Sequence, residues 1–330
     1  MRDLLAARLA RRAHAPVGLF PTPLQHMARL SRRLGRPVYF KREDLAGLAL
    51  AGSKIRILQH TAGDALERGA RMFVAGGYVQ SNHPTQVAAV GCALGVPTEL
   101  VLDTTKGWEM EGNMLLSTLM GCTVHYVREA SYEAIRDACL RLVQRLNRRK
   151  RHAHLLTLTP EIHALSALAY AEGLLELAGQ LEAVGITGAD LFVGSGGPTY
   201  AGLLLGARAA MQLLKLEVPI RADDVSLLGR GSGVYGYTYP ATIKAIWKVA
   251  QTEGVFLDPV YTGTGMAELL RWAHAHRGDS PLVFLHTGGV TALFAYEREL
   301  VGGKGASDAP GRRISRLGGE GVRRRKVAQA

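Results

Sequence analysis

Lys54 stands in the turn Gly52-Ser53-Lys54, just ahead of a stretch with helical apolar spacing. A lysine held at a helix start can lose solvation and act as a nucleophile, which is the chemistry of a Schiff-base lysine. Ser81, Asn82 and His83 open another helix directly after an apolar strand over 72–75. Exposed backbone N–H groups and short polar side chains can hold an anion there, such as a substrate carboxylate. Gly194, Ser195, Gly196 and Gly197 leave another apolar strand and enter a helix. Their backbone allows close approach, and the N–H groups with the helix dipole favour a phosphate. Tyr261 and Thr262 follow Leu257-Asp258-Pro259-Val260 at what reads as a buried strand end, where a tyrosine hydroxyl needs a partner. Taken singly, each has a plainer reading as a surface lysine, an ordinary turn or a structural tyrosine.

Taken in order and at their spacing, these motifs resemble the D-cysteine desulfhydrase and 1-aminocyclopropane-1-carboxylate (ACC) deaminase family. Its members are pyridoxal-phosphate-dependent enzymes of the tryptophan-synthase-β-like fold, fold type II. The resemblance runs from about residue 20 to 296. It passes through P-T-P-L at 21–24, K-R-E-D-L-A-G-L-A at 41–49, G-S-K-I-R at 52–56, Q-S-N-H at 80–83, G-S-G-G at 194–197, Y-G at 235–236, T-E-G-V-F-L-D-P-V-Y-T-G at 252–263 and H-T-G-G at 286–289.

The resemblance implies pyridoxal 5'-phosphate as cofactor and Lys54 as the lysine that carries it and later acts as base. It implies Asn82 as the partner of the cofactor's 3-hydroxyl, and 194–197 with Thr199 as the phosphate cup. Ser81 and His83, beside Asn82, would meet the substrate carboxylate, with Ser81 also a proton shuttle. Tyr261 and Tyr235 would be active-site tyrosines, and Thr262 or Thr287 would meet the pyridine nitrogen. ACC deaminases carry Glu in place of Thr262 and Leu in place of Thr287, whereas the desulfhydrase branch has hydroxyl residues at both.

The implied reaction is β-elimination from a β-substituted alanine, led by D-cysteine, to pyruvate and ammonia. The alternatives are an ACC deaminase, a cysteate sulfo-lyase, or a non-catalytic relative that binds a nucleic-acid partner through a basic tail. This chain departs from the family pattern at Ser53 for Asn, at the interposed Pro198, in the shortened loop after Pro160, and at Thr264 and Thr291, where Lys and Pro are usual.

The elements that must position these residues alternate between strand and helix. Strands are expected at 38–41, 72–75, 98–102, 122–127, 155–158, 190–193, 225–228 and 282–286. Helices are expected at 54–70, 83–94, 110–120, 132–146, 161–181, 199–214, 241–252, 264–275 and near 290–300. In the helix from Lys54, Ile55, Leu58, Ala62, Ala65 and Leu66 form one apolar stripe. Alternation of this kind gives an α/β fold with mainly parallel sheets and helices on both faces. By resemblance the chain divides into a large cofactor-binding domain, 1–61 with 166–302, and a small inserted domain, 62–165, with the cofactor between them.

Composition narrows the classes. A chain of 330 residues with 47% apolar content can bury a sizeable core. Cys92, Cys122 and Cys139 form no C-x-x-C pair, which argues against a disulfide framework or a thiolate metal site, and fits the cytoplasm. No metal site is expected. No apolar run approaches a membrane span, and the Arg-rich first dozen residues read as a peripheral helix. The formal charge of +12 is half accounted for by residues 303–330, where eight Lys and Arg face two acidic residues. That segment reads as a disordered, solvated tail rather than a nucleic-acid contact. A homodimer acting on a small amino acid is what the resemblance implies.

Overall fold

The computed structural model of the protein describes residues 11–50, 52–105, 109–128, 131–156, 160–194, 228 and 236–302. The glycine loop from Ser195 through Thr199, the expected helix 199–214, most of the expected strand 225–228, Tyr235 and the tail 303–330 lie outside the described residues.

The chain runs β1 (Leu24–His26), α1 (Ala28–Leu34), β2 (Val38–Lys41), α2 (Lys54–Glu67), β3 (Met72–Tyr78), α3 (Asn82–Leu94), β4 (Thr98–Asp103), α4 (Gly112–Leu119), β5 (Thr123–Val127) and α5 (Tyr132–Arg148). It continues through β6 (Ala153–Leu155), α6 (Pro160–Ala183), β7 (Asp190–Val193), α7 (Pro240–Glu253), α8 (Thr262–Ala275) and β8 (Leu282–Leu285). Two four-stranded sheets result, ordered β1-β2-β8-β7 and β5-β4-β3-β6. The second takes its strands from one continuous stretch of chain, and the first from both sides of it. Every pairing is parallel except that of β1 with β2.

Register places the functional loops. Lys41 of β2 pairs with Leu285 of β8, and Leu285 pairs in turn with Val193 of β7. Three parallel strands therefore end level, and they lead into the lysine loop, the His286–Gly289 turn and the glycine loop at 194. A crevice at the carboxyl ends of parallel strands is where α/β sheets bind ligands. In the other sheet β3 ends at Tyr78, three residues before Ser81.

The stripe on α2 is buried as its spacing requires. Ile55, Leu58, Ala62 and Ala65 join Phe73, Ala75, Val87, Val90, Leu100 and Leu102 in one core, with Leu66 packed at its margin. Phe40, Ile246, Val249, Met266, Leu269 and Phe284 fill the core of the first sheet. Burying each such large side chain stabilises the fold by about 1.5–3 kcal/mol.

The Lys41-Arg42-Glu43-Asp44 and Lys54-Ile55-Arg56 stretches meet in a buried charge cluster. Arg56 is 2% exposed and forks onto Glu43, with Nε donating to Oε2 at 2.9 Å and Nη2 to Oε1 at 2.8 Å. It also lies 3.0 Å from Oε2 of Glu176 on α6. Lys41 donates to Glu176, to the Thr22 carbonyl at 2.7 Å and to Gln180 at 2.9 Å. Burial lowers the Lys41 pKa, against the opposing pull of Glu176. This cluster clamps α2, and hence Lys54 at its first turn, to β2 and α6.

Three expectations need correction. β1 and α1 occupy residues that carried no element in the sequence reading, and β1 is an antiparallel edge to an otherwise parallel sheet. The strand expected at 155–158 is Ala153–Leu155. There the Asn147 amide accepts from Ala153 N at 2.6 Å and donates to its carbonyl at 3.0 Å, which sets the strand's start. Near 290–300 the chain forms a 3-10 turn, Val290–Tyr296, followed by a π turn, Arg298–Gly302, rather than an α-helix. Ala292 N bonds back to the Gly289 carbonyl, three residues away, so the first turn is tight.

Candidate active site

The lysine turn is held by the far end of the chain. Ser53 N donates to the Thr287 carbonyl at 3.0 Å, and Gly52 bridges Gly288. A Cβ on Gly52 would sit 2.6 Å from the Thr287 carbonyl oxygen, so only glycine permits this approach. His286 fixes the opposing turn. Its Nε2–H donates to the Phe256 carbonyl at 2.9 Å, its Nδ1 accepts from Gly288 N at 3.2 Å, and its own carbonyl accepts from Asp44 N. Burial lowers the His286 pKa, and the neutral ring suits this donor and acceptor pair.

Asn82 opens α3, and its side chain is oriented by neighbours. Asn113 Nδ2 donates to Asn82 Oδ1 at 2.9 Å and to the Gln80 carbonyl at 2.9 Å, while Thr291 Oγ1 donates to Asn113 Oδ1 at 2.9 Å. With Oδ1 engaged, Asn82 presents its amide N–H groups. Its Nδ2 stands 2.9 Å from where a Cβ on Gly289 would lie. Ser81 precedes the helix in extended conformation, and its hydroxyl makes no capping bond.

His83 is buried, and its Nε2–H donates to the Leu156 carbonyl at 2.6 Å. Burial pushes its pKa down to about 4, opposed by that hydrogen bond and aided by the charge of nearby Lys54. A neutral imidazole has one N–H, and here it is spent, so this geometry leaves His83 no donor for a carboxylate. The ring instead braces α3 against the end of β6.

This has a consequence for stability. Below the unfolded histidine pKa of 6.5 the unfolded chain takes a proton that the folded chain refuses until about pH 4. Stability is therefore complete above pH 6.5 and falls as pH drops toward 4, by about 3 kcal/mol from this group. Urea unfolding at pH 7 and pH 4.5 should show that loss for the protein. It should shrink in His83→Gln, which carries the same titrating carboxylates; equal losses in both proteins would dismiss the assignment.

Tyr261 and Thr262 begin α8, and Asp258 organises them. Its Oδ1 accepts from Thr262 N at 2.7 Å and Thr262 Oγ1 at 2.6 Å, and its Oδ2 from Val260 N and Tyr261 N at 2.9 and 2.8 Å. Burial pushes this carboxyl above the usual range, against four bonds that favour its anion. Thr262 Oγ1 also accepts from Asp258 N at 2.7 Å, so its one hydrogen is committed. Thr287, half-buried, has its backbone in the turn and no side-chain hydrogen bond among the described residues. Gly194 lies against this helix start, where a Cβ would meet the Tyr261 carbonyl at 2.2 Å.

The described site thus brings together Lys54, Ser81, Asn82, His83, Gly194, Tyr261, Thr262 and Thr287. Gln80, Asn113, Asp258, His286 and Thr291 are its supports, and the sequence reading had assigned them no role in the site. Asp258 carried a legible signal, an Asp four residues ahead of a helical stretch, in the manner of a cap. Asn113 and His286 work through contacts far away in sequence.

The pieces suit an aldehyde cofactor with an anionic end. A lysine begins a helix, an asparagine amide has donors to spare, and glycines at 52, 288 and 289 let backbone close around the space. Ser53 Oγ and Gln86 Oε1 beside the turn are buried without a partner among the described residues. Fold and site together suit an enzyme that uses such a cofactor. A family model described as pyridoxal-phosphate dependent enzyme matches residues 16–221. The chain belongs to that family.

Among its relatives, a D-cysteine desulfhydrase of Klebsiella pneumoniae is 34% identical over 317 residues, covering 85% of this chain and 95% of that one. A D-cysteine desulfhydrase of Yersinia enterocolitica is also 34% identical over 317 residues, covering 84% and 94%. The crystal structure of an ACC deaminase homologue superposes with a TM-score of 0.81 at 29% identity, over 92% of this chain and 99% of its own. Diaminopropionate ammonia lyase of Escherichia coli shares the fold at a TM-score of 0.62 and 16% identity, over 93% and 92%.

Proposed function

We propose that the protein is a pyridoxal-phosphate-dependent carbon–sulfur lyase that converts D-cysteine and water to pyruvate, ammonia and hydrogen sulfide. The relatives named for that activity support the reading, and the observation that carries it is the pair of hydroxyls at 262 and 287. When bound, the cofactor stabilises negative charge at the substrate Cα. Lys54 holds the cofactor and then takes the α-proton on its amine. The N–H groups opening α3, with Ser81, hold the substrate carboxylate, and Asn82 donates to the cofactor's 3-hydroxyl oxygen. The sulfur leaves Cβ with the bonding electrons and is protonated within the site, where Tyr261 and Tyr235 are the candidate donors. Gly194 and the residues that follow it through Thr199 would hold the phosphate.

Because the Thr262 hydrogen goes to Asp258, Thr287 is the hydroxyl that would meet the pyridine nitrogen. A hydroxyl there does not hold the nitrogen protonated as a carboxylate does, so the electron sink is shallower. That suffices where a departing sulfur carries the electrons away, and suits cyclopropane opening less. The division into a large domain and an inserted one at 62–165, with the cofactor between them, belongs to the same reading, as do a homodimer and a cytoplasmic location. No helix among the described residues is long and apolar enough to cross a membrane.

The test is product identity. Purified, cofactor-loaded protein should release pyruvate from D-cysteine far faster than 2-oxobutanoate from ACC. Release of 2-oxobutanoate with no pyruvate from D-cysteine, L-cysteine or cysteate would refute the assignment. Thr287→Leu should lower pyruvate release about tenfold or more through loss of one hydrogen bond to the reacting system; an unchanged rate would return that role to Thr262.

A further inference from the structure

Away from the site described above, three elements remote in sequence converge on one polar corner. His60 lies on the second turn of α2, Glu172 on α6, and His14 on the segment preceding β1. One ligating atom from each lies within 4.8 Å of the other two. His60 Nε2 is 2.8 Å and His14 Nε2 3.9 Å from the same carboxylate oxygen, Glu172 Oε2. The two rings lie against each other at a tilt of 57°, with centroids 4.2 Å apart.

The corner is built rather than incidental. Ala15 N donates to the Gln59 carbonyl at 2.8 Å, which lays residues 13–15 across α2. At that crossing Gly63 has no room for a side chain, since a Cβ would lie 2.8 Å from the Ala13 carbonyl carbon and oxygen. His14 is therefore set beside His60 by the backbone. His60 itself is 1% exposed, and its Nδ1 has no partner among the described residues.

Hydrogen bonding specifies which atoms are available. His14 Nδ1 lies 2.7 Å from the Arg12 carbonyl, and a carbonyl only accepts, so Nδ1 carries the hydrogen. In the neutral ring Nε2 is then a lone pair, and it faces a carboxylate oxygen. Two lone pairs face each other stably only with positive charge between them. Fixing a ligating histidine through a hydrogen bond from its other nitrogen to a carbonyl is the usual arrangement around bound metals. Glu172 supplies the carboxylate, and its Oε2 is the one atom that both imidazoles approach.

We propose that His14, His60 and Glu172 form a binding site for a first-row divalent cation, with Zn²⁺ the best match to two imidazoles and one carboxylate. Donor atoms around one tetrahedral zinc lie about 3.3 Å apart, so the 2.8 Å pair opens and the 3.9 Å pair closes, each by about half an ångström. Glu172 is half-buried at the protein margin, which leaves it free to make that adjustment and leaves the fourth position to water. The ion acts as a staple that joins the leading segment, the helix carrying Lys54 and α6. It takes no part in the elimination chemistry.

The experiment uses full-length, cofactor-loaded protein, dialysed against a chelator and titrated with ZnCl₂ against a chromophoric zinc indicator. One zinc per chain is expected, with zinc K-edge X-ray absorption reporting two imidazoles and no sulfur, and with the melting temperature raised by the metal. His14→Ala, at an exposed position, should weaken binding by at least about tenfold and abolish the zinc-induced rise in melting temperature. Glu172→Gln, which keeps an acceptor for His60, should do the same. The proposal is overturned by absence of binding, by affinity that is unchanged in both variants, or by sulfur in the coordination shell, which would point to Cys92 or Cys122.

Discussion

Lys54→Ala should reduce pyruvate release by at least about 10³-fold while leaving the urea midpoint close to that of the parent. The expected loss is large because one amine serves twice, as the covalent anchor of the cofactor and as the base at Cα. The fold should tolerate the change, since α2 is held by Arg56 and by its apolar stripe rather than by this side chain. Alanine is also the best helix former at the position vacated. The visible absorbance of lysine-bound cofactor should vanish in the same variant. A primary amine added to the buffer should restore part of the rate, because it can supply the missing base. Activity within tenfold of the parent, or an unaltered spectrum, would remove Lys54 from the chemistry and with it the functional reading.

The largest effect on stability is expected at Arg56. Replacing it by alanine leaves Glu43 and Glu176 facing each other's charge in a buried setting, with Lys41 as the remaining cation. Breaking a buried, hydrogen-bonded pair by removing one partner costs about 3–5 kcal/mol, most of it the penalty on the orphaned carboxylate. Replacing both partners, as in Arg56→Met with Glu43→Leu, should recover more than half of that cost, because the desolvated charge is gone. A urea midpoint for Arg56→Ala that corresponds to a loss of less than about 1 kcal/mol would mean that water reaches the cluster and screens it. The guanidinium also lies 4.0 Å above the Phe20 ring, so part of the loss should track packing rather than charge.

The sequence disclosed the alternating architecture because its buried parallel strands are short apolar runs. β8, Leu-Val-Phe-Leu, is buried at every position, and β3 nearly so. β1 escaped because three residues, Leu-Gln-His, mostly exposed and following two prolines, carry no alternation that a reader can detect. The 3-10 and π turns after Gly289 share a helix's apolar spacing, and only the tight hydrogen bond at their start tells them apart.

Lys54 and Asn82 were legible as motif residues at helix starts; the level ends of β2, β7 and β8 bring the lysine loop to the His286–Gly289 turn, and Asn82, from the other sheet, meets that turn at Gly289. The role of His83 was not legible, since its single N–H is claimed by Leu156, whose proximity depends on how β6 pairs with β3. Thr291 looked like a departure from pattern. In the fold it completes the asparagine network around Asn82, a role that proline, lacking a hydroxyl, does not fill.

The bridge between Gly52 and Gly288 bears on how the molecule matures. During synthesis the lysine turn leaves the ribosome long before the segment that pins it, and loops closed over so great a separation form late. Until the final strand has docked, residue 54 has no fixed place from which to capture an aldehyde. Nascent chains should therefore acquire colour and compactness in one step, and truncations ending before that strand should expose a lysine no more discriminating than any other on the surface.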